Sequence, residues 1–117
     1  MKGKTIEFKI TNAFLRVEGS TYQISNIASA DCYQIKTNLW DAMTVGKRYG
    51  IWLNLTSGRT IPLVRSTDKE SIFTVRDRIE AAMDAQSRGV TYNTKYELQG
   101  DFIKQDGNFG TGVNFSN

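Results

Sequence analysis

The segment TDKESIFTVRDRIEAAMDAQSRG, running from Thr67 to Gly89, decides the fold. It predicts the one long helix of the chain, and the regular stretches ahead of it read as strands. Thr67 and Glu70 are spaced as a capping box, in which each side chain satisfies an open backbone N–H at the helix start. Asp68 adds negative charge to the first turn, where the helix dipole favours it. Gly89 suits the left-handed position just past the C-terminus, and Arg88 places a cation in the last turn. Ile72, Val75, Ile79, Ala82 and Met83 recur at steps of three and four and therefore share a face. Lys69, Arg76, Asp77, Glu80, Asp84 and Ser87 fall mostly elsewhere. A lone helix with one apolar stripe must bury it, and the upstream strands offer the surface.

Those strands announce themselves by alternation. Ile6, Phe8 and Ile10 oppose Glu7 and Lys9, which predicts a half-buried strand over Thr5–Ile10. Ala13, Leu15 and Val17 restart the pattern after Thr11-Asn12, and Gly19-Ser20 turns the chain into a strand over Thr21–Ile27. A fourth strand is expected over Ser29–Thr37, and a loop with at most one helical turn over Asn38–Arg48, including Trp40. Tyr49–Thr56 and Arg59–Val64 form a hairpin around Ser57-Gly58. Pro62, the only proline, donates no ladder hydrogen bond, which places its strand at an edge or at a bulge.

After Gly89 the composition turns to Gly, Asn, Thr and aromatics. The division expected is a domain over 1–89 and a tail over 90–117, with a hairpin signal at Asp106-Gly107 between Phe102/Ile103 and Phe109/Val113. An isolated hairpin is marginal in water, so such a tail needs the body or another chain to pair with.

Strands followed by one amphipathic helix is the order of a pleckstrin-homology-like (PH-like) domain. The stretch ITNAFLRVEGSTYQISNIAS, Ile10–Ser29, resembles the start of an uncharacterised bacterial domain-of-unknown-function family with that architecture, through Thr11, Thr21-Tyr22 and Asn26-Ile27-Ala28-Ser29. The likeness spans roughly residues 4–89. It implies an α+β fold, a PH-like antiparallel β-barrel or meander of about six strands capped by a C-terminal helix, in a protein of bacterial or phage origin. It supplies no catalytic residues. Where members of that family carry hydrophobic membrane segments, this chain carries Gln34–Gly50.

Composition narrows the chemistry. One cysteine excludes an internal disulfide, and the lack of histidine removes the usual general base and the commonest metal ligand. No apolar run reaches membrane-spanning length, so a cytoplasmic protein is expected. The formal charge of +3 is too small to argue for nucleic acid. Cys32 lacks a histidine partner and reads as a small strand hydrophobe. Asp31, Asp41, Asp77, Asp84, Asp101 and Asp106 show no convergent spacing for acid–base work. The glycine-rich run Gly107–Gly112 opens no helix and lacks a P-loop lysine. No enzyme activity, cofactor or metal is therefore expected.

Two binding surfaces remain. Tyr92, Tyr96, Phe102, Phe109 and Phe115 lie beyond the expected closing helix and either pack outside the domain or form an interface for self-association or a protein partner. Basic residues Lys2, Lys4, Lys9, Arg16, Lys36, Lys47, Arg48, Arg59 and Arg65 form a candidate rim. Within it, Lys47, Arg48 and Arg59 at loop tips are the candidate site for a small anion, a lipid headgroup or a nucleotide. The helix reading has a direct test: Ile79→Asp is expected to unfold the domain, since an unpaired buried charge costs about 3–5 kcal/mol. A folded, soluble Ile79→Asp chain by circular dichroism would show that the helix faces the other way.

Overall fold

The computed structural model describes residues 4–35, 43 and 47–103. Their elements are β1 (Lys4–Thr11), β2 (Phe14–Val17), β3 (Ser20–Gln23), a 3-10 turn (Ile24–Asn26), β4 (Ile27–Ile35), β5 (Arg48–Leu55), β6 (Thr60–Ser66), α1 (Lys69–Arg88) and β7 (Asn93–Phe102). All strands join one antiparallel sheet in the order β3-β2-β1-β7-β6-β5-β4.

Alternation in the sequence sets the faces. Ile6, Phe8 and Ile10 of β1, Leu15 and Val17 of β2, Ala30 of β4, Ile51 and Leu53 of β5, and Leu98 of β7 are buried in one core. On the helix side, Ile72, Val75, Ile79 and Ala82 enter that core, Ala85 is buried a turn further on, and Met83 packs at its margin. Full burial of an Ile or Val side chain contributes about 1.5–3 kcal/mol, so this stripe holds the helix where propensity alone would not.

The helix starts one residue later than the capping-box reading expects. Asp68 is the N-cap: its Oδ1 accepts from the Ser71 N–H at 3.2 Å, and its Oδ2 accepts from the Ser71 hydroxyl at 2.7 Å. These bonds hold the Asp68 carboxyl below the usual range. A side chain of Asp is as good a cap as Thr, and the local spacing alone did not choose between them. Gly89 ends the helix as foreseen, at a φ of 70°.

Two expectations about architecture are corrected. The sheet is open rather than closed as a barrel, with β3 and β4 as its edges. The helix is not the last element: β7 follows it and lies between β1 and β6, raising the count from about six strands to seven. β7 pairs with β1 from Lys4↔Gly100 to Thr11↔Asn93, then meets β6 at Val64↔Phe102 and Arg65↔Asp101. Smaller differences follow from local geometry. The strand expected over Thr21–Ile27 divides into β3 and the 3-10 turn, because Ile24 turns into the core beside α1. Pro62 sits at a bulge rather than an edge, at the register shift opposite Ile51 and Trp52. The hairpin expected at Asp106-Gly107 and most of the loop 38–48 lie outside the described residues.

Gly100 marks where β7 leaves β1 for β6. A Cβ there would collide with the carbonyl oxygen of Arg65. Buried Ser66 secures the same corner, donating to the Gln99 carbonyl at 2.5 Å and accepting from the Asp68 N–H at 3.0 Å. Gly100→Ala is expected to lower stability by about 1–3 kcal/mol, the usual cost of overpacking. An unchanged urea midpoint would show that the two halves of the sheet separate freely at this corner.

Candidate functional site

The face of the sheet turned away from α1 carries the most organised charge in the described structure. On β1, Glu7 and Lys9 point outward; on β7, Lys95 and Glu97 do; on β2, Arg16 does. Strand register aligns them. Lys9 stands opposite Lys95 on one side and opposite Arg16 on the other, while Glu7 stands opposite Glu97. The result is a row of cations crossing β7, β1 and β2, with a row of carboxylates beside it.

Distances follow from sheet geometry. Neighbouring strands are about 4.8 Å apart, and positions two residues apart along a strand are separated by about 6.8 Å. Directly opposed side chains have Cβ atoms about 4.5–5.5 Å apart, and like charges in that position are destabilising. Neither Lys9, Arg16 nor Lys95 forms a salt bridge with a described carboxylate; the described salt bridges are Arg76–Asp77 and Arg88–Asp84, both on α1.

The two-residue turn between β2 and β3 borders this surface. Glu18 and Gly19 both have positive φ, 50° and 82°. That pairing suits the twist of a tight hairpin, but a glutamate in the left-handed region is uncommon. Glu18 lines the same shallow, open depression as Glu7, Lys9, Arg16, Thr21 and Lys95. It therefore adds a third carboxylate to the acid side of the surface.

The other half of this outer face is built around an aromatic pair, with Arg65 opposite Gly50. Tyr33 lies across Gly50, where a Cβ would strike its ring, and stacks on Trp52 with ring centroids 4.7 Å apart. Burial pushes the Tyr33 hydroxyl pKa up, with Arg65 opposing. Beside the pair, Asn54 Nδ2 donates to Ser29 Oγ at 2.8 Å and Asp31 Oδ2 at 2.7 Å, while Thr60 Oγ1 donates to Asn54 Oδ1 at 2.9 Å. These contacts stitch β4, β5 and β6 together.

The residues singled out by sequence fare differently. Arg48 opens β5, and Lys47 precedes it; Arg59 lies past the turn at the far end of the same strand, where its carbonyl accepts from the Leu55 N–H at 2.8 Å. Arg48 and Leu55 are separated by about 23 Å of extended chain. The structure thus keeps Lys47 and Arg48 together and does not bring Arg59 to them. Among the tail aromatics, Tyr92, Tyr96 and Phe102 pack against this chain's own core. Tyr96 donates to Ser71 Oγ at 3.1 Å beneath the Arg78 guanidinium, 5.2 Å from the ring centroid, and Arg78 also donates to Thr94 Oγ1. Tyr92 is fixed to the β1–β2 turn, its carbonyl accepting from the Asn12 N–H at 3.1 Å. Phe109 and Phe115 lie outside the described residues.

Lys9 and Arg16 belonged to the sequence's basic set, but Lys95 did not. The signal for it is a repeated phrase: Glu7-x-Lys9 and Lys95-x-Glu97 each place opposite charges on one strand face, and Arg16-x-Glu18 repeats the spacing into the β2–β3 turn. Antiparallel pairing then turns three dipeptide-spaced pairs into two rows.

In comparisons with known proteins, no family model, no curated protein and no solved structure matches this chain. Among the described residues no helix is long and apolar enough to cross a membrane, and no cluster of three or more Cys, Asp or Glu is placed to hold a metal.

Cys32, on the inner face of β4, lies 3.9 Å from the Ile72 carbonyl oxygen, to which its thiol donates. Burial raises its pKa, Arg76 opposes, and Asp77, Glu80 and Asp31 add to the rise. Less thiolate at neutral pH means slow chemistry. Alkylation of the native chain at pH 7.5 is expected to run well below the rate of free cysteine and to recover in denaturant. A native rate above that of free cysteine would assign Cys32 a reactive role.

Proposed function

We propose that the chain is a non-enzymatic interaction module that holds a protein surface against the outer face of β2, β1 and β7. The row Lys95–Lys9–Arg16 carries this reading. Each opposed like-charge pair costs about 0.2–1 kcal/mol in the isolated sheet. Carboxylates on a partner convert that cost into attraction, and the neighbouring acid row fixes the partner's orientation by repelling a wrong register.

The same geometry favours a protein over a simple anion. A phosphate over Lys9 would stand within about 7 Å of the Glu7–Glu97 row, less than the screening length of about 8 Å at physiological salt. A partner bearing both signs has no such conflict. A tail-borne interface would rest on Phe109 and Phe115, because Tyr92, Tyr96 and Phe102 are occupied within the domain.

A neutral substitution separates binding from folding. Lys9→Thr removes the central cation and introduces a good strand former, so the isolated chain is expected to gain about 0.2–1 kcal/mol in chemical denaturation. Low-salt affinity capture by the same variant is expected to weaken. Capture unchanged by Lys9→Thr, from a folded protein, would overturn the assignment of this face.

A further inference from the structure

We propose that the partner held on this face is a second copy of the same chain, docked sheet to sheet about a twofold axis. The inference rests on the interaction-module reading and names its partner. Its basis is that the two charge rows are each other's complement on the same strands. Lys9 and Glu7 share β1, and Lys95 and Glu97 share β7.

Consider a twofold axis lying in the interface, parallel to the rows and midway between them. Rotation about it carries the cation row of one copy over the acid row of the other without shifting any residue from strand to strand. Lys9 then faces Glu7 of the second copy, and Lys95 faces Glu97 of the second copy. The reciprocal contacts follow from the symmetry, as an isologous interface requires. Arg16, opposite Lys9 on β2, extends the cation row outward. No other axis parallel to the sheet does this. A twofold along the strands superposes like rows on like rows, so the charge pattern also excludes the competing arrangement.

The repulsion within each row is the corollary. Opposed lysines on β1 and β7 are unfavourable in a monomer, and each gains a carboxylate across the dimer interface. The side chains are long and the outer face carries no large apolar core here, so the association is electrostatic. Its range is set by screening: the Debye length falls from about 10 Å at 0.1 M salt to about 3 Å at 1 M, crossing the spacing between rows.

Sedimentation of the full chain tests this directly. At low salt and high protein concentration the chain is expected to be a dimer, dissociating as salt rises toward 1 M. The double variant Lys9→Glu/Lys95→Glu and the double variant Glu7→Lys/Glu97→Lys are each expected to be monomeric. Mixed in equal amounts, they are expected to form a heterodimer, because each now supplies what the other lacks. Should a double variant fail to fold, the single variants Lys9→Glu and Glu7→Lys make the same comparison.

A monomeric wild type at low salt overturns the inference, as does a mixture of folded variants that stays monomeric. If the wild type is monomeric yet captures a different protein, and Lys9→Glu/Lys95→Glu loses it, the dimer is wrong while the interaction-module reading stands. If neither association nor capture depends on these residues, both fall. Retention on heparin by a monomeric wild type, lost in Lys9→Glu/Lys95→Glu, would replace the second copy with a polyanion and overturn the inference.

Discussion

β7 is the strand on which the rest of the structure depends. Without it the described chain would be two separate meanders, β1–β2–β3 and β4–β5–β6, linked by the short 3-10 turn and leaning on one helix. β7 runs along β1 for the whole length of that strand and then takes up β6 beyond Gly100. The carbonyl of Arg65 and the Cβ of Ser66 crowd that crossing while the Ser66 hydroxyl bonds to the Gln99 carbonyl, so glycine there and a small polar residue opposite are conditions of the join. The helix stripe brings more buried apolar side chains to the core than β7 does, but β7 joins the two halves of the sheet that the stripe is buried against.

The same strand builds the outer surface. Buried Leu98 alternates with outward Lys95, Glu97 and Gln99, and the register that pairs Leu98 with Ile6 also pairs Lys95 with Lys9. A core requirement on one face thus imposes a charge pattern on the other, because a strand has a period of two and cannot adjust its faces independently. The charged half of the outer face contrasts with the half built on Tyr33, Gly50 and Trp52. There a ring covers a glycine and contributes packing within the sheet, a role the fold itself accounts for.

Local signals in the sequence described local structure well. The apolar steps from Ile72 to Ala82 gave the helix its extent and its buried face, and the alternation around Phe8, Leu15 and Ile51 placed three strands correctly. Pro62 was readable as an edge or a bulge because its missing N–H is a property of one residue, and pairing on both sides of β6 leaves the bulge. The final strand was not readable in the same way. Asn93–Phe102 alternates through Thr94, Tyr96 and Leu98, yet it begins in polar, turn-forming residues and its strongly apolar side chains, Leu98 and Phe102, come only in its second half. Its place in the middle of the sheet is decided by β1, far away in sequence, and no local pattern encodes that. The cation row was hidden for the same reason: Lys9 and Lys95 become neighbours only through pairing of the first strand with the last described one.

The position of β7 also orders events during synthesis. Both meanders leave the ribosome before the strand that unites them, so β1 and β6 wait with open hydrogen-bonding edges while α1 and the residues after it are still being made. Open edges of this kind are where strands of different molecules pair by mistake. Closing them requires a contact between distant parts of the chain, and contacts of that separation form slowly. The charge rows arrive at that same step, because Lys95 and Glu97 are carried by β7, so one late pairing both closes the edges and completes the pattern of the outer face.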